Sequence, residues 1–557
     1  SFNTVYASFD IWKGIKFAST FSYDFVMNKS RAWKDPRTSD GDDDNGRFSK
    51  DYNDITNMTW SNILTYQTKI KKKHNLDLLV GYEINSKESD GLGTTISNFA
   101  RWDKPEVNNG VVYQSMGGSN STTRIVSYIT RANYDYDNKY YLGASWRTDG
   151  SSRLARENRW GNFWSLSGAW RVSSESFMKP LQNWLSDLKL RVSYGVNGTL
   201  PSSYYGYMGL SSLTSNYNDN PGITQSQLEN KELTWETNYN FNSGIDLGFF
   251  DNRLNVTFEY YVRTTKNLLY SRPLSLATGF SSYLANIGKL QNKGYELEIR
   301  STNIETKDFR WSTSLNLGHN ANKILKLDGD LKQVTSGTSI HKVGLPYSTY
   351  YMIEFAGIDP ADGEPMFYKN TTDENGNLNK ETTKDPRSAE KVILQCADPT
   401  ITGGLGNSIS YKWFDLNFNV NFSFGAWNYD GSASKLEHGG DGTLNIPIYY
   451  RKRWQKEGDE TSIERFVVGR SISMTDYATT RRLYSGDYVR LKNLTFGFTL
   501  PKTWTRKVGI DNIRLYASGN NLLTWAAYDY IDPESGSSPS WDTPPMRTYT
   551  FGLEVKF

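Results

Sequence analysis

The chain is poor in the devices that staple small secreted domains and in those that carry helices through membranes. It has one cysteine, Cys396, so no internal disulfide can form, and four scattered histidines with that single thiol do not make a structural zinc set. No stretch approaches the ~18 consecutive apolar residues of a spanning helix, which leaves strands or surface attachment as routes into a bilayer. An excess of one charge is missing too: 63 Lys and Arg against 60 Asp and Glu leave +3, too even for a phosphate-tracking surface, so nucleic acid is excluded as a partner. Against these absences stand 37 Tyr, 26 Phe, 17 Trp and 46 Gly in 557 residues, while hydrophobic residues reach only 37%. That mixture is too aromatic for disorder and too polar for a helical membrane protein. The opening Ser1-Phe2-Asn3 has no initiator Met and no leader-like segment, and it alternates like the middle of a strand, as in a fragment or processed piece.

The dominant period is two. From Leu254 to Arg263 the even positions are apolar and most odd ones polar. The same alternation recurs at Leu188/Leu190/Val192/Tyr194/Val196 and at Tyr295/Leu297/Ile299. It is clearest at Leu416/Phe418/Val420/Phe422/Phe424, set against Asp415/Asn417/Asn419/Asn421/Ser423, and it closes the chain at Tyr549/Phe551/Leu553/Val555/Phe557. Between Leu491 and Leu494 the apolar phase slips, which predicts a β-bulge. About seventeen strands result, many longer than the ~5–6 residues usual in soluble sheets. Tight connections fall at Lys13-Gly14, Lys71-Lys72-Lys73, Asp137-Asn138-Lys139, Asp251-Asn252 and Glu305-Thr306-Lys307-Asp308. They alternate with long ones at about 30–55, 89–121, 199–232, 270–293, 325–400, 430–485 and 527–545.

Segregation of loop length by parity is the pattern of an all-β, transmembrane, up-and-down antiparallel β-barrel with short periplasmic turns and long extracellular loops. Aromatic pairs at strand ends, Tyr140/Tyr141, Phe249/Phe250 and Tyr260/Tyr261, suit interfacial girdles. The polar faces suit a wet lumen. The competing architecture is a soluble or surface-exposed glycan-binding β-sandwich or propeller, whose apolar faces would form a core.

Several long motifs resemble the SusC/RagA family of TonB-dependent outer-membrane transporters of Bacteroidetes. They include Tyr140–Arg153 with Arg159-Trp160-Gly161-Asn162-Phe163, Trp184–Gly198, Asn286–Glu298 and Asn316–Ile324. Tyr488–Gly497, Arg514–Trp525 and Tyr530-Ile531-Asp532-Pro533-Glu534 follow in the family's order, so the likeness runs over nearly the whole chain. The resemblance implies a barrel of about 22 strands with a plugged lumen, of which this chain would hold the last seventeen, the plug and first strands being absent. It implies import of an oligosaccharide or peptide with a SusD-like surface lipoprotein as lid, driven by TonB-ExbB-ExbD through the missing N-terminal part. It leaves room for a dimer of transporter–lipoprotein pairs, and it implies no cofactor.

Catalysis would require convergent carboxylates, a Ser/His/Asp set or a metal cluster, and the spacing supports none of these. His74 follows a basic turn, His319 ends a strand motif, and His341 and His438 sit in long loops. Asp40-Gly41-Asp42-Asp43-Asp44-Asn45-Gly46 has the carboxylate density of a calcium loop without EF-hand spacing, so a solvated acidic loop is the preferred reading over calcium. Asp373-Glu374-Asn375-Gly376 reads as a turn, and the basic run Arg451–Lys456 as a solvated face. Aromatics in the long loops carry the better signal, because Trp and Tyr rings stack on apolar sugar faces while neighbouring polar groups bond hydroxyls. Trp102, Tyr113, Tyr204, Tyr205, Tyr207, Tyr217, Trp427, Tyr429 and Trp541 are the substrate-contact candidates. The loops at 325–400 and 430–485 are the candidates for lipoprotein contact, since a lid needs projecting surface. Outer-membrane lipid is the expected surrounding of the apolar faces.

Overall fold

In the computed structural model, residues 1–557 are described except 215, 219, 328, 330, 441–444, 470–476, 529 and 536–543. Seventeen long strands belong to one sheet. In chain order they are β1 (Phe2–Trp12), β2 (Ile15–Lys34), β3 (Arg47–Ile70), β4 (His74–Phe99), β5 (Gly110–Tyr136), β6 (Tyr140–Ser151), β7 (Trp160–Arg171), β8 (Leu185–Thr199) and β9 (Glu236–Phe249). Next come β10 (Leu254–Lys266), β11 (Lys289–Glu305), β12 (Phe309–Lys326), β13 (Ile401–Tyr411), β14 (Phe414–Phe424), β15 (Tyr488–Thr499), β16 (Asn512–Ala526) and β17 (Thr548–Lys556). From β1 to β7, and again from β11 to β17, each strand pairs antiparallel with the next. The chain divides into two compact units, one of Ser1–Arg171, Arg191–Phe241 and Thr264–Ile287, the other of Val172–Leu190, Asn242–Arg263 and Gly288–Phe557.

In the first unit, register places Tyr136 opposite Tyr140 and Tyr140 opposite Trp170, so the even residues of β4 to β7 share one face. That face is apolar and open: Leu142 is 62% exposed, and Leu166 and Val80 are each 57% exposed. It carries two aromatic rows. His74, Tyr136, Tyr140 and Trp170 follow one another at ring distances of 5.0, 6.4 and 6.3 Å, and Tyr82, Tyr128 and Trp160 at 5.2 and 6.2 Å. A contiguous exposed surface of this kind is incompatible with a water-facing monomer and fits a bilayer band between aromatic girdles. The sandwich alternative fails here, because these apolar faces stay exposed instead of packing against a second sheet. The opposite face is wet and ionic, with Arg131 paired to Asp77 at 3.1 Å and Arg147 to Asp149 at 2.7 Å.

The tight turns behave as their residues dictate. Asp137 and Asn138 both take positive φ, 56° and 54°, and the Lys139 N–H donates to the Tyr136 carbonyl at 2.9 Å, so the chain reverses over three residues between the paired Tyr136 and Tyr140. The slip near Leu491 is a bulge: Asn419 pairs with Asn493 but Val420 with Leu491, leaving Lys492 out of the ladder. Two connections of the short-turn parity are longer than tight turns, 172–184 with short 3-10 segments and 500–511 with a helical turn at Lys502–Thr505.

Several expected loop bounds require correction. The segments at 30–55 and 89–121 are mostly strand, since β2 and β3 run to a connection at 35–46, and β4 and β5 to one at 100–109. The 26 and 27 residues of β4 and β5 far exceed the ~9–11 that cross a bilayer, so this hairpin must project beyond it. Its polar outer portion looks loop-like in sequence because no apolar face is needed there. The segment 270–293 contains a hairpin, Leu269–Pro273 with Ser282–Asn286, before β11 begins. The 325–400 connection folds into small sheets of its own, including Thr349–Ile353 paired with Lys391–Cys396 and Phe355–Ile358 paired with Pro365–Tyr368.

Core packing lies at the outer ends of the strands and in the connections. In the first unit Leu154, Phe163, Val196, Leu233 and Trp235 form one buried cluster, and Phe48, Ile96 and Phe99 another beneath Trp33. In the second unit Tyr350, Met352 and Leu483 do the same. Each fully buried side chain of this size contributes about 1.5–3 kcal/mol, enough to hold an extended loop in one conformation.

Glycine within a strand marks a close approach. A Cβ on Gly294 would lie 2.0 Å from the His319 carbonyl oxygen and 2.7 Å from the Tyr261 hydroxyl, which itself donates to Asn320 at 2.9 Å. The ring thus covers the glycine. Gly294→Ala should destabilise the fold by about 2 kcal/mol in denaturant titration of the refolded protein, whereas Gly117→Ala, with nothing within 4 Å, should change it by less than about 0.5 kcal/mol.

Candidate functional site

The polar face of the second unit forms a wall. Register aligns Glu298, Asn316, Gly404 and Asn421 in one row across β11 to β14, and Glu296, Gly318, Thr402 and Ser423 in the next. Arg300, Ser314, Gly406 and Asn419 make a third. Together with Thr257 and Glu259 of β10 and Tyr488 of β15 they line a cavity of about 1120 Å³. A second cavity of about 330 Å³ continues past Arg300, Ser314 and Asn419 to Asn252 and Asn255 near the tight turn. Three carboxylates and one guanidinium stand among amides and hydroxyls, and Arg300 is held by Glu298 at 2.5 Å. Such a surface hydrates or hydrogen-bonds a polar solute without a deep apolar pocket. Gly404 and Gly406 keep it open: a Cβ at Gly406 would meet the Ser314 hydroxyl at 2.6 Å.

The loop aromatics are brought together only in part. Trp102 lies in the 100–109 turn, 48% exposed, with the Arg37 guanidinium 3.4 Å from its ring centre. Tyr113, expected in a loop, is within β5 and is 73% exposed. Tyr204 and Tyr205 meet edge to face at 6.5 Å, Arg153 lies over Tyr204 at 4.4 Å, and the Tyr205 oxygen accepts the Thr122 N–H at 2.9 Å. Tyr207 packs on the Leu154/Trp235 cluster, and Tyr217 projects almost fully into solvent. Trp427 and Tyr429 sit on a short strand paired with Leu483–Ser485 and pack against Tyr350 and Met352. Trp541 lies outside the described residues.

The other singled-out groups have local partners. His74 contacts the Tyr134 hydroxyl at 2.8 Å, and His319 the Thr400 carbonyl at 2.7 Å while stacking on Tyr295. His341 stacks on Tyr347 with centroids 4.1 Å apart, and burial pulls its pKa down. His438 is buried and accepts the Gly440 N–H. In the acidic loop Asp44 pairs with Arg47 at 2.9 Å and Asp40 accepts the Thr38 hydroxyl at 2.6 Å. Asp373 accepts backbone N–H groups of Asn375 and Asn377, and Gly376 takes φ 84°, the expected turn. In the basic run the Trp454 indole donates to the Pro360 carbonyl. Among the described residues no three His, Cys, Asp or Glu side chains gather as a metal set.

Sequence reasoning missed a cluster in the second unit. Arg481 and Arg482 pair with Glu437 and Glu464, all nearly buried, with Arg481 to Glu464 at 2.5 Å and Arg482 to Glu437 at 3.4 Å. Tyr449 donates to Glu437 at 2.5 Å, Tyr450 to Glu464 at 2.9 Å and Tyr528 to Asp430 at 3.0 Å. Nearby, Arg490 bonds both Asp532 and Glu534 at 2.7 Å, and the bulged Lys492 reaches Glu534 at 2.6 Å. The signal was present as Tyr488-Val489-Arg490 and Tyr530-Ile531-Asp532-Pro533-Glu534, but nothing in one sequence says that two distant motifs are partners.

An apolar open face with aromatic rows in the first unit and a polar, cavity-bearing strand face in the second are the features of a membrane β-barrel. Residues 2–522 match the family described as TonB dependent receptor-like, beta-barrel. The chain belongs to that family, whose barrels lie in the outer membrane. It is 32% identical to TonB-dependent receptor P3 of Formosa agariphila over 99% of this chain and 57% of that protein. It is 30% identical to TonB-dependent receptor SusC of Bacteroides thetaiotaomicron over 78% of this chain and 44% of that protein. Among solved structures it superposes on the RagAB peptide transporter with a TM-score of 0.87 and 27% identity, covering 100% of this chain and 61% of that one. The same importer is described in "closed-closed" and "open-open" states, with TM-scores of 0.86. The chain thus spans about half the length of the relatives it matches, and those relatives are receptors and transporters rather than enzymes.

Removing the Arg490 guanidinium leaves two carboxylates facing each other beside a lone lysine, so Arg490→Met should destabilise the protein by about 3 kcal/mol in denaturant titration and expose 526–535 to protease. A pH test reads the outer loop. The Arg37 side chain, then its backbone N–H, holds the Asp35 carboxyl down to about 2, below the ~3.9 of the unfolded chain. This pairing contributes fully above the unfolded value and is lost as pH falls through about 2. The Trp102 emission difference between wild type and Trp102→Phe should therefore hold from pH 7 to 4 and change only toward pH 2; a midpoint near 4 would refute the pairing.

Proposed function

We propose that the whole protein imports an oligosaccharide or a peptide across the outer membrane, energised through TonB-ExbB-ExbD and capped by a SusD-like surface lipoprotein. The observation that carries this reading is the polar wall of β11 to β14 with its 1120 Å³ cavity, in a sheet whose other face is built for lipid. Amides and hydroxyls in register offer repeated, weak hydrogen-bond sites, which suit passage better than retention. Kinship with the RagAB peptide transporter supports a peptide cargo, and the resemblance of the sequence motifs to the SusC/RagA family is what brings in an oligosaccharide cargo and a lipoprotein partner. The open and closed states described for RagAB support a lid that moves, and a dimer of transporter–lipoprotein pairs is compatible with them. The internally sheeted 325–400 segment and the segment 430–485 are the proposed lipoprotein contacts. Solvent-exposed Trp102, Tyr113 and Tyr217 remain the proposed cargo contacts of the first unit, with Tyr204 and Tyr205 beside them. Tyr207, Trp427 and Tyr429 are better explained as packing, and no cofactor is invoked.

The test is uptake of fluorescently labelled oligosaccharides and peptides by cells carrying the full-length gene with its lipoprotein neighbour. Accumulation of one cargo class should fall at least about tenfold on deletion of the gene, and to the same level when the proton gradient is collapsed. Equal uptake in the deletion strain would overturn the import reading.

A further inference from the structure

The β1–β2, β3–β4 and β5–β6 turns of the first unit make one continuous edge. The Gln67 N–H donates to the Gly14 carbonyl at 2.8 Å and the Asp137 N–H to the Lys73 carbonyl at 2.7 Å, so each turn lies against the next hairpin. Short turns mark the periplasmic end of an outer-membrane barrel. Along this edge the segments 10–16, 69–77 and 135–139 hold seven Lys against four Asp, while 35–46, at the other end of β2 and β3, holds five Asp and one Arg. The two ends of the same strands therefore differ in the sign of their charge. The acids of the basic edge are already engaged. Asp137 pairs with Lys73 at 3.4 Å and Asp77 with Arg131 at 3.1 Å, Asp10 faces Lys16 across the ladder, and Asp135 accepts the Asn75 amide at 3.0 Å. Lys13, Lys71 and Lys72 are exposed, and among the described residues they have no acidic partner.

Lys71 and Lys72 also stand where the backbone does not favour them. Their φ values are 49° and 60°, and the Lys73 N–H closes the turn on the Ile70 carbonyl at 3.2 Å. The β5–β6 turn meets the same demand with Asp137-Asn138, residue types that tolerate positive φ, so turn geometry alone does not account for two lysines here. Each unpaired ammonium adjoins an apolar side chain of the lipid-facing surface. Trp12, beside Lys13, is 76% exposed and in register with Ile15, Tyr66 and Leu78 of that face. Ile70, beside Lys71, is 51% exposed and lies opposite His74 at the start of the aromatic row. Where such a row ends, a headgroup layer about 5–8 Å deep begins. A lysine stem packs along the apolar surface and carries its ammonium into that layer.

We propose that Lys13, Lys71 and Lys72 form a patch that binds the headgroup phosphates of anionic phospholipid in the periplasmic leaflet, with Trp12, Ile70 and the row that starts at His74 against the acyl chains. An acidic protein would answer the charges alone. An anionic phospholipid answers both halves of the surface, phosphate on ammonium and chain on the adjoining apolar side chains, and the apolar half is continuous with the face that already meets lipid. Such contacts hold the periplasmic end of the hairpins at the level of the headgroups. The patch goes beyond the import reading and does not depend on which cargo is carried.

The experiment adds dioleoyl phosphatidylglycerol, or dioleoyl phosphatidylcholine, to the delipidated full-length transporter in detergent and reads bound lipid by native mass spectrometry. Phosphatidylglycerol should bind at least about tenfold more tightly than phosphatidylcholine, and salt should shrink the difference. Each lysine removed should cost about fivefold. The pair Lys71→Asn with Lys72→Gly should therefore weaken phosphatidylglycerol at least about tenfold and leave phosphatidylcholine within about twofold. Both substitutions suit the positive φ of the turn, so a loss of binding is not a loss of fold. Lys71→Arg with Lys72→Arg should keep the affinity within about threefold, because the charge stays. Equal binding of the two lipids by the wild type, or unchanged phosphatidylglycerol affinity in Lys71→Asn with Lys72→Gly, would overturn the patch. Full displacement of phosphatidylglycerol by inorganic phosphate would also overturn it, leaving a site for a free anion.

Discussion

A strand that crosses hydrocarbon has no water to satisfy its N–H and C=O groups, and every other feature of this protein follows from meeting that demand with neighbouring strands. From β1 to β7 and from β11 to β17 the ladder runs antiparallel between sequence neighbours, with few breaks. Each strand then has two faces of opposite character. On β5 to β7 one carries Tyr136, Tyr140, Leu142, Leu166 and Trp170, and the other Arg131, Arg147 and Asp149. A slip of one residue would exchange them wholesale, so register is enforced by lipid on one side and water on the other.

Because neither face of the sheet is a core, packing moves to the strand ends and the connections. The buried clusters around Leu154, Phe48 and Tyr350 are built largely from residues at strand ends and in loops. This makes long connections into ordered bodies: 325–400 folds into small sheets, and Trp427 and Tyr429 serve its packing. Aromatic side chains therefore do two different jobs in one chain. They mark the interfaces on the lipid face and fill loop cores.

Charge is used in the same economical way. The near-balance of acids and bases resolves into pairs that tie distant segments. Asp415 to Arg514 at 2.6 Å joins strands on the polar face, and Arg490 to Asp532 and Glu534 anchors the connection after β16. The bulge at Lys492 belongs to this arrangement, since leaving the ladder is what turns its ammonium toward Glu534.

Period-two alternation, turn residues such as Asp137-Asn138 and the apolar phase slip before Leu494 were legible in the chain alone, because strand faces, hairpin φ values and bulges are local properties. The all-β membrane class, the strand number and the tight turns all rest on them. Hairpin length was not legible: the outer parts of β2 to β5 lack the sustained apolar face of the bilayer band and bury only a local cluster of Phe48, Ile96 and Phe99, so the alternation that marks a strand fades in 30–55 and 89–121. Nor could the chain say which loop aromatics pack and which project, since Tyr207 and Tyr217 read alike until Leu154 and Trp235 are placed beside one of them. The pairing of Arg490 with Asp532, and the stacking of Tyr484 on Tyr528, join residues about forty positions apart. Local pattern determined how each strand faces lipid and water; only tertiary structure decided which loops meet, because contacts between distant segments depend on the register of every strand between them.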